Sequence, residues 1–106
     1  MTWKVTYLPA AVKDLKKLDG NLAKQSRKAI AKVSQNPLSI FDGGYGLPLG
    51  NKGGRNLSGL FKIKLRHAGI RIVYKLEKRE EEMLIIVVGV RDDDEVYDIA
   101  KKRDER

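Results

Sequence analysis

Trp3, Val5 and Tyr7 alternate with Thr2, Lys4 and Thr6 across Thr2–Leu8, the period of two expected of a strand with one apolar face. Pro9 follows and suits the first turn of a helix. Ala11, Leu15 and Leu18 then recur at helical spacing with Val12 alongside, and Lys13, Lys16 and Lys17 fall outside the stripe. Gly20 is expected to close this helix. A second helix is expected from about Asn21, with Leu22, Ser26, Ala29, Ile30 and Val33 on one stripe and Lys24, Arg27, Lys28 and Lys32 on the other. Asn36-Pro37 stops it, because a residue before proline is driven out of the helical region.

Asp42–Gly59 holds seven of the ten glycines. It is expected as a long glycine-rich loop, a flexible flap beside a binding surface or an insertion without a role. A nucleotide-phosphate loop is excluded, since no Gly-Lys-Ser/Thr follows and no strand-loop-helix context surrounds it. From Gly59 the period returns to two. Phe61, Ile63 and Leu65 alternate with Lys62, Lys64 and Arg66; Ile70, Ile72, Tyr74 and Leu76 alternate with Arg71, Val73 and Lys75. His67-Ala68-Gly69 joins these strands as a hairpin. Met83–Val90 is almost wholly apolar, as a strand covered on both faces should be, and Asp92–Glu95 offers caps for a short terminal helix over Glu95–Lys102. The order β-α-α-β-β-β-α predicts an α+β domain: a largely antiparallel four-stranded sheet with helices packed on one face.

Strand geometry sorts the charges. If Phe61, Ile63 and Leu65 face the core, Lys62, Lys64 and Arg66 face outward together. A register joining the apolar faces brings Arg71 and Lys75 to the same outer face. Like charges across a sheet repel, at a cost of a few tenths to about 1 kcal/mol per pair, so an anion is the natural complement; the plain alternative is a solvated face whose lysines discourage aggregation. The net charge of +8 is unevenly spread: residues 1–76 hold 15 basic and 3 acidic side chains, residues 77–106 hold 7 and 11. A basic body with an acidic final section favours a polyanionic partner.

At 106 residues the chain has room for one core. It has no cysteine and one histidine, so disulfides, thiol nucleophiles and the usual metal ligand sets are not expected; neither is any cofactor. No apolar run approaches a membrane span and the N-terminus does not read as a signal sequence. A reducing cytoplasm is the expected setting.

Lys62-Ile63-Lys64-Leu65-Arg66, Gly69-Ile70-Arg71-Ile72-Val73-Tyr74, Val88-Gly89-Val90-Arg91 and Glu95-Val96-Tyr97 together resemble the RelE branch of the RelE/ParE toxins of bacterial toxin–antitoxin modules. The opening strand, the Leu15-Lys16-Lys17-Leu18 helix and the Asn36-Pro37 stop are similar too. The resemblance covers nearly the whole chain and is weakest over the glycine-rich segment. It implies a RelE-like (microbial RNase-like) fold and a ribosome-dependent endoribonuclease that cuts messenger RNA in the A site. It implies two partners: the ribosome with its message, and an acidic RelB-like antitoxin. The family's catalytic pattern falls on Lys62, Lys64, Arg71, Arg91 and Tyr97. Lys13, Lys16, Lys17, Lys24, Arg27, Lys28, Arg55, Arg66 and Lys75 are the candidate contacts to RNA and ribosome. The chain departs from the pattern in having Ser58 just before the lysine strand, with Arg55 nearby, and Asp92-Asp93-Asp94 after Arg91, three acids that either offset the charge of Arg91 toward RNA or cap the helix, capping being the favoured reading. The ParE branch, which poisons DNA gyrase, generally lacks this cationic set; binding to gyrase without cleavage is the alternative.

Cleavage by the neighbouring ribose 2′-OH requires removal of its proton, stabilisation of charge at phosphorus and protonation of the leaving 5′ oxygen. Arg71 and Arg91 suit the second task through their fork geometry. Lys64, crowded by cations, is the expected general acid. Lys62 stabilises phosphate or assists deprotonation, and Tyr97 stacks on or hydrogen-bonds a base; whether Lys62 or Tyr97 is the general base is left open.

Overall fold

The computed structural model describes residues 2–90 and 92–104. In chain order the elements are β1 (Lys4–Tyr7), α1 (Pro9–Lys17), α2 (Gly20–Ser34), a 3-10 turn (Ile40–Asp42), β2 (Leu47–Lys52), β3 (Arg55–Leu65), β4 (Ile70–Glu77), β5 (Glu82–Gly89) and α3 (Asp93–Asp104). One sheet runs β1-β5-β4-β3-β2, with β1 parallel to β5 and every other pair antiparallel.

Asp19 decides where the second helix starts. Its Oδ1 accepts the Leu22 N–H at 2.9 Å, an N-cap that satisfies one of the orphan donors of the first turn. Gly20 therefore opens α2 rather than closing α1, which ends at Lys17. Buried Ser26 is tolerated on the apolar stripe because its hydroxyl donates to Leu22 O at 2.9 Å.

The sheet has a core on each face. Ala11 and Leu15 of α1 and Ile30 and Val33 of α2 pack on Ile63, Ile72 and Ile85. Val96, Tyr97 and Ala100 of α3 pack on Leu60, Val73, Ile86 and Val87 from the other side. The expectation of helices on one face is thus corrected: two cover one face and the terminal helix covers the other. The reason is that the charged face of β3 and β4 is only partly charged. Leu60 and Val73 are interleaved with Lys62, Lys64, Arg71 and Lys75, and that apolar surface requires a cover.

The expected four strands are five, and the difference lies in the glycine-rich segment. Residues 42–59, read from the sequence as a loop, carry β2 and the first part of β3. Gly53 and Gly54, at φ +58° and +80°, make a two-residue hairpin turn closed by the Lys52–Arg55 pair, the positive-φ pair that such turns require. Gly50, at φ +57°, sits where the β2–β3 register shifts. These glycines bend strands rather than dissolve them.

A second irregularity lies in β5. Val73 pairs with Val87 but Tyr74 with Ile85, leaving Ile86 without a partner and turning Ile86 and Val87 toward the same core. Past Ile85 the strand has also run beyond the end of β1. Two side chains complete its backbone there: Asp14 Oδ2 accepts the Val88 N–H at 3.0 Å, and Arg103 Nη1 donates to Ile86 O at 2.8 Å. Arg103 and Asp14 also bond each other, at 2.7 Å and 3.2 Å, so this cluster ties α1, β5 and the last turn of α3 together.

Candidate active site

The β3–β4 register sets Lys64 directly opposite Arg71, Lys62 opposite Val73 and Lys75 opposite Leu60. All four cations lie on the α3 face, as the alternation requires. Lys64 and Arg71 do not stand as bare repelling charges. Asp93, the first residue of α3, reaches between them: Lys64 Nζ donates to Oδ2 at 3.3 Å and Arg71 Nε to Oδ1 at 2.7 Å. The hydrogen bond from Arg71, with that from Lys64 behind it, holds the Asp93 carboxyl below the usual aspartate range against the opposing effect of partial burial.

Tyr97 lies one turn after Asp93 and is 4% exposed. Its hydroxyl is buried with no hydrogen-bond partner among the described residues. Burial, then the charge of Asp93, raises its pKa, while Lys64 and Arg71 pull the other way. Tyr97 is thus beside the cationic pair, as the sequence suggests. In this conformation, however, its ring belongs to the core beneath α3 and is not presented for stacking.

Lys62 makes no ion pair among the described residues; it sits on the same face, opposite Leu47 of β2. Arg91 lies outside the described residues, so its expected place among the catalytic set has no structural account here. Beside Lys64, an open recess of about 360 Å³ is lined by Gln25, Leu65, Arg66, His67 and Ala68.

The candidate RNA and ribosome contacts divide into two groups. Lys13, Lys16 and Lys17 on α1 and Lys24, Arg27 and Lys28 on α2 are all exposed, on the helices covering the opposite sheet face. Arg66 is exposed at the end of β3. Arg55 and Lys75 instead belong to the α3 side and are already engaged. Arg55 Nε donates to Asp98, its Nη1 lies 3.5 Å from Asp94, and Lys75 Nζ donates to Asp104 at 2.9 Å. The hydrogen bond with Arg55 leads the effects that keep the Asp98 carboxyl below its usual range.

The sequence reading of the aspartate triplet needs correction for one residue. Asp92 is a cap, accepting the Glu95 N–H at 2.9 Å, but Asp93 is a cross-link to β3 and β4. The excess of acids in the final section was the available signal. Their periodicity along α3, at Asp93, Asp94, Asp98 and Asp104, matches cations on the sheet beneath. Chemically, the site is a seat for a two-oxygen anion with one ammonium and one guanidinium on adjacent strands. Among the described residues no group of three or more His, Cys, Asp or Glu side chains could hold a metal ion.

A family model described as the ParE toxin of the type II toxin–antitoxin system parDE matches residues 5–97. The mRNA interferase toxin RelE of Escherichia coli K12 is 29% identical over 103 residues, 97% of this chain and 98% of its own. The free-state structure of an E. coli toxin RelE carrying two arginine-to-alanine substitutions is similar at 27% identity and a TM-score of 0.74, covering 97% of this chain and 98% of that one. The same substituted toxin in complex with a peptide of the antitoxin RelB is similar at 26% identity and a TM-score of 0.69, over 94% and 95%.

Proposed function

The chain belongs to the ParE toxin family of type II toxin–antitoxin systems, and we propose that within it this protein is a RelE-type, ribosome-dependent endoribonuclease that cuts messenger RNA and so stops translation. The observation that carries the reading is the convergence of Lys64 and Arg71 on one anion seat with Tyr97 beside it. An ammonium and a guanidinium that can grip two oxygens of one phosphate are what stabilisation of the cleavage transition state requires.

The ribose 2′-OH gives its proton to a general base, Lys62 or Tyr97, and attacks the adjacent phosphorus while the bond to the leaving 5′ oxygen breaks, closing a 2′,3′-cyclic phosphate. Arg71, which keeps its proton at any working pH, neutralises the charge growing on the non-bridging oxygens. Lys64, across the same seat, donates the proton to the 5′ oxygen. Lys62 lies on the same face, two residues along β3, and adds positive charge to the strand path. Tyr97, on α3 beside the pair, is the proposed contact to the base or ribose of the substrate. Arg91, two residues past β5 in the sequence, completes the proposed set. The exposed cations of α1 and α2, with Arg66, supply contacts to ribosomal RNA, and such binding weakens steeply as salt rises.

No described helix is long and apolar enough to cross a membrane, and the proposed site of action is the cytoplasm, where ribosomes are. An acidic antitoxin of the RelB kind is the proposed inhibitor, by analogy with the RelB peptide complex of the E. coli toxin.

Primer extension on messenger RNA from a translating extract tests the reading. Wild type should give cuts phased with codons, and Arg71→Ala should reduce them by roughly 10²–10³-fold, the usual effect of losing one preorganised charge donor. Intact message together with accumulated gyrase–DNA breaks would replace this reading with the gyrase-binding alternative.

A further inference from the structure

The anion seat is already occupied by the protein itself. Asp93 places one carboxylate oxygen on Lys64 and the other on Arg71, the two contacts that a phosphate would make. The rest of α3 repeats the pattern, with Asp94 and Asp98 on Arg55 and Asp104 on Lys75. The terminal helix is therefore an internal polyanion laid over the cationic half of the sheet.

Its charged groups are not held alike. At the C-terminal end the Asp14–Arg103 pair is 14% and 18% exposed and shares bonds with the β5 backbone. Toward the N-terminal end the acids are 38% exposed at Asp93, 83% at Asp94 and 56% at Asp98. Water competes far better for the second group. Val96 and Tyr97 keep the first two turns in the core, so it is the Asp93 carboxylate, not the helix, that is free to exchange.

We propose that Asp93 is a substrate-selecting residue: its carboxylate holds the seat of the scissile phosphate, and RNA reaches Lys64 and Arg71 only by expelling it. A short free RNA offers one phosphate in exchange for a carboxylate already in place and gains little. An RNA held by a large assembly, with its backbone also engaged by the outer cations, displaces the carboxylate readily. Asp93 thereby discriminates against unassisted RNA. This inference rests on the proposed function for the identity of the anion.

The test is binding rather than cleavage. A fluorescently labelled, uncleavable 2′-O-methyl single-stranded 12-mer is titrated with wild type, Asp93→Asn and Asp94→Asn in about 50 mM salt. Two exposed ion pairs span roughly a two- to thirtyfold change; these are partly buried, and Asp93→Asn should bind toward the upper end, about tenfold or more tightly. Asp94→Asn removes the same charge one residue from the seat and should gain no more than about twofold. Equal gains from both variants, or none from Asp93→Asn, overturn the proposal. Should Asp93→Asn fail to fold, the wild type suffices: followed by carbon-detected NMR, the Asp93 carboxyl should titrate at higher pH with the 12-mer bound, and an unmoved titration overturns the proposal equally. A wild type that cuts message on ribosomes while Asp93→Asn gains nothing defeats this inference alone; a wild type that leaves message intact defeats the nuclease reading and leaves the binding result standing.

Discussion

Replacing Asp14 by alanine removes three hydrogen bonds at once: one from Val88 N–H and two from the Arg103 guanidinium. Val88 is buried, so its N–H loses its partner where water enters poorly, at a cost of about 1–3 kcal/mol. Arg103 keeps only its bond to Ile86 O and becomes an uncompensated charge at 18% exposure. Breaking a fully buried pair costs about 3–5 kcal/mol, and the residual exposure of both partners reduces that. A combined loss of about 3 kcal/mol is expected, lowering the midpoint of thermal unfolding by upwards of roughly 10 °C for a domain of this size. Urea unfolding followed by circular dichroism measures the loss. Hydrogen exchange locates it: the Val88 amide and the last turn of α3 should exchange fastest relative to wild type. Asp14→Asn, which keeps an acceptor but not the charge, should cost about half as much. A loss below about 1 kcal/mol for Asp14→Ala, or unchanged exchange at Val88, would refute the idea that this ion pair completes the irregular stretch of β5 and anchors the helix above it.

Asp93 and Asp98 both have carboxyl pKa values depressed in the folded state, so the stability they contribute is present above the ordinary aspartate value of about 3.9 and is lost as pH falls through the lower folded values. Denaturant midpoints measured from pH 6 down to pH 2.5 should therefore fall below about pH 4, and the double variant Asp93→Asn, Asp98→Asn should flatten that decline; an identical decline in the variant would show that other groups cause it. Tyr97→Phe removes a buried hydroxyl without a partner, so stability should stay level or rise by up to about 1 kcal/mol, while cleavage on ribosomes falls if that hydroxyl meets the substrate. Destabilisation of the Phe variant by more than about 1 kcal/mol in the same urea assay would mean that the hydroxyl is bonded in solution.

Much of this molecule is legible as periodicity. The alternation through Leu60–Leu76 is enough to put Lys62, Lys64, Arg71 and Lys75 on one face, because a pleated strand leaves each side chain only two directions and an apolar set must take one of them. The two amphipathic helices and the doubly covered strand β5 follow from the same rule. The glycine-rich segment looks like a loop in the sequence because glycine carries no side chain to show a period; the same residues, at positive φ, form the hairpin turn and the bend that let β2 join the edge. The aspartates of α3 were ambiguous for a different reason. A carboxylate at a helix start is equally good as a cap or as a long-range partner, and the chain alone does not say which cations lie across from it. That choice was made when apolar Leu60 and Val73 drew Val96, Tyr97 and Ala100 down onto the charged face. Burial of those side chains brought Asp93 within reach of Lys64 and Arg71, and Asp14 within reach of Arg103. Local pattern specified which face is cationic; the packing of one helix across that face settled that the charge is answered from within.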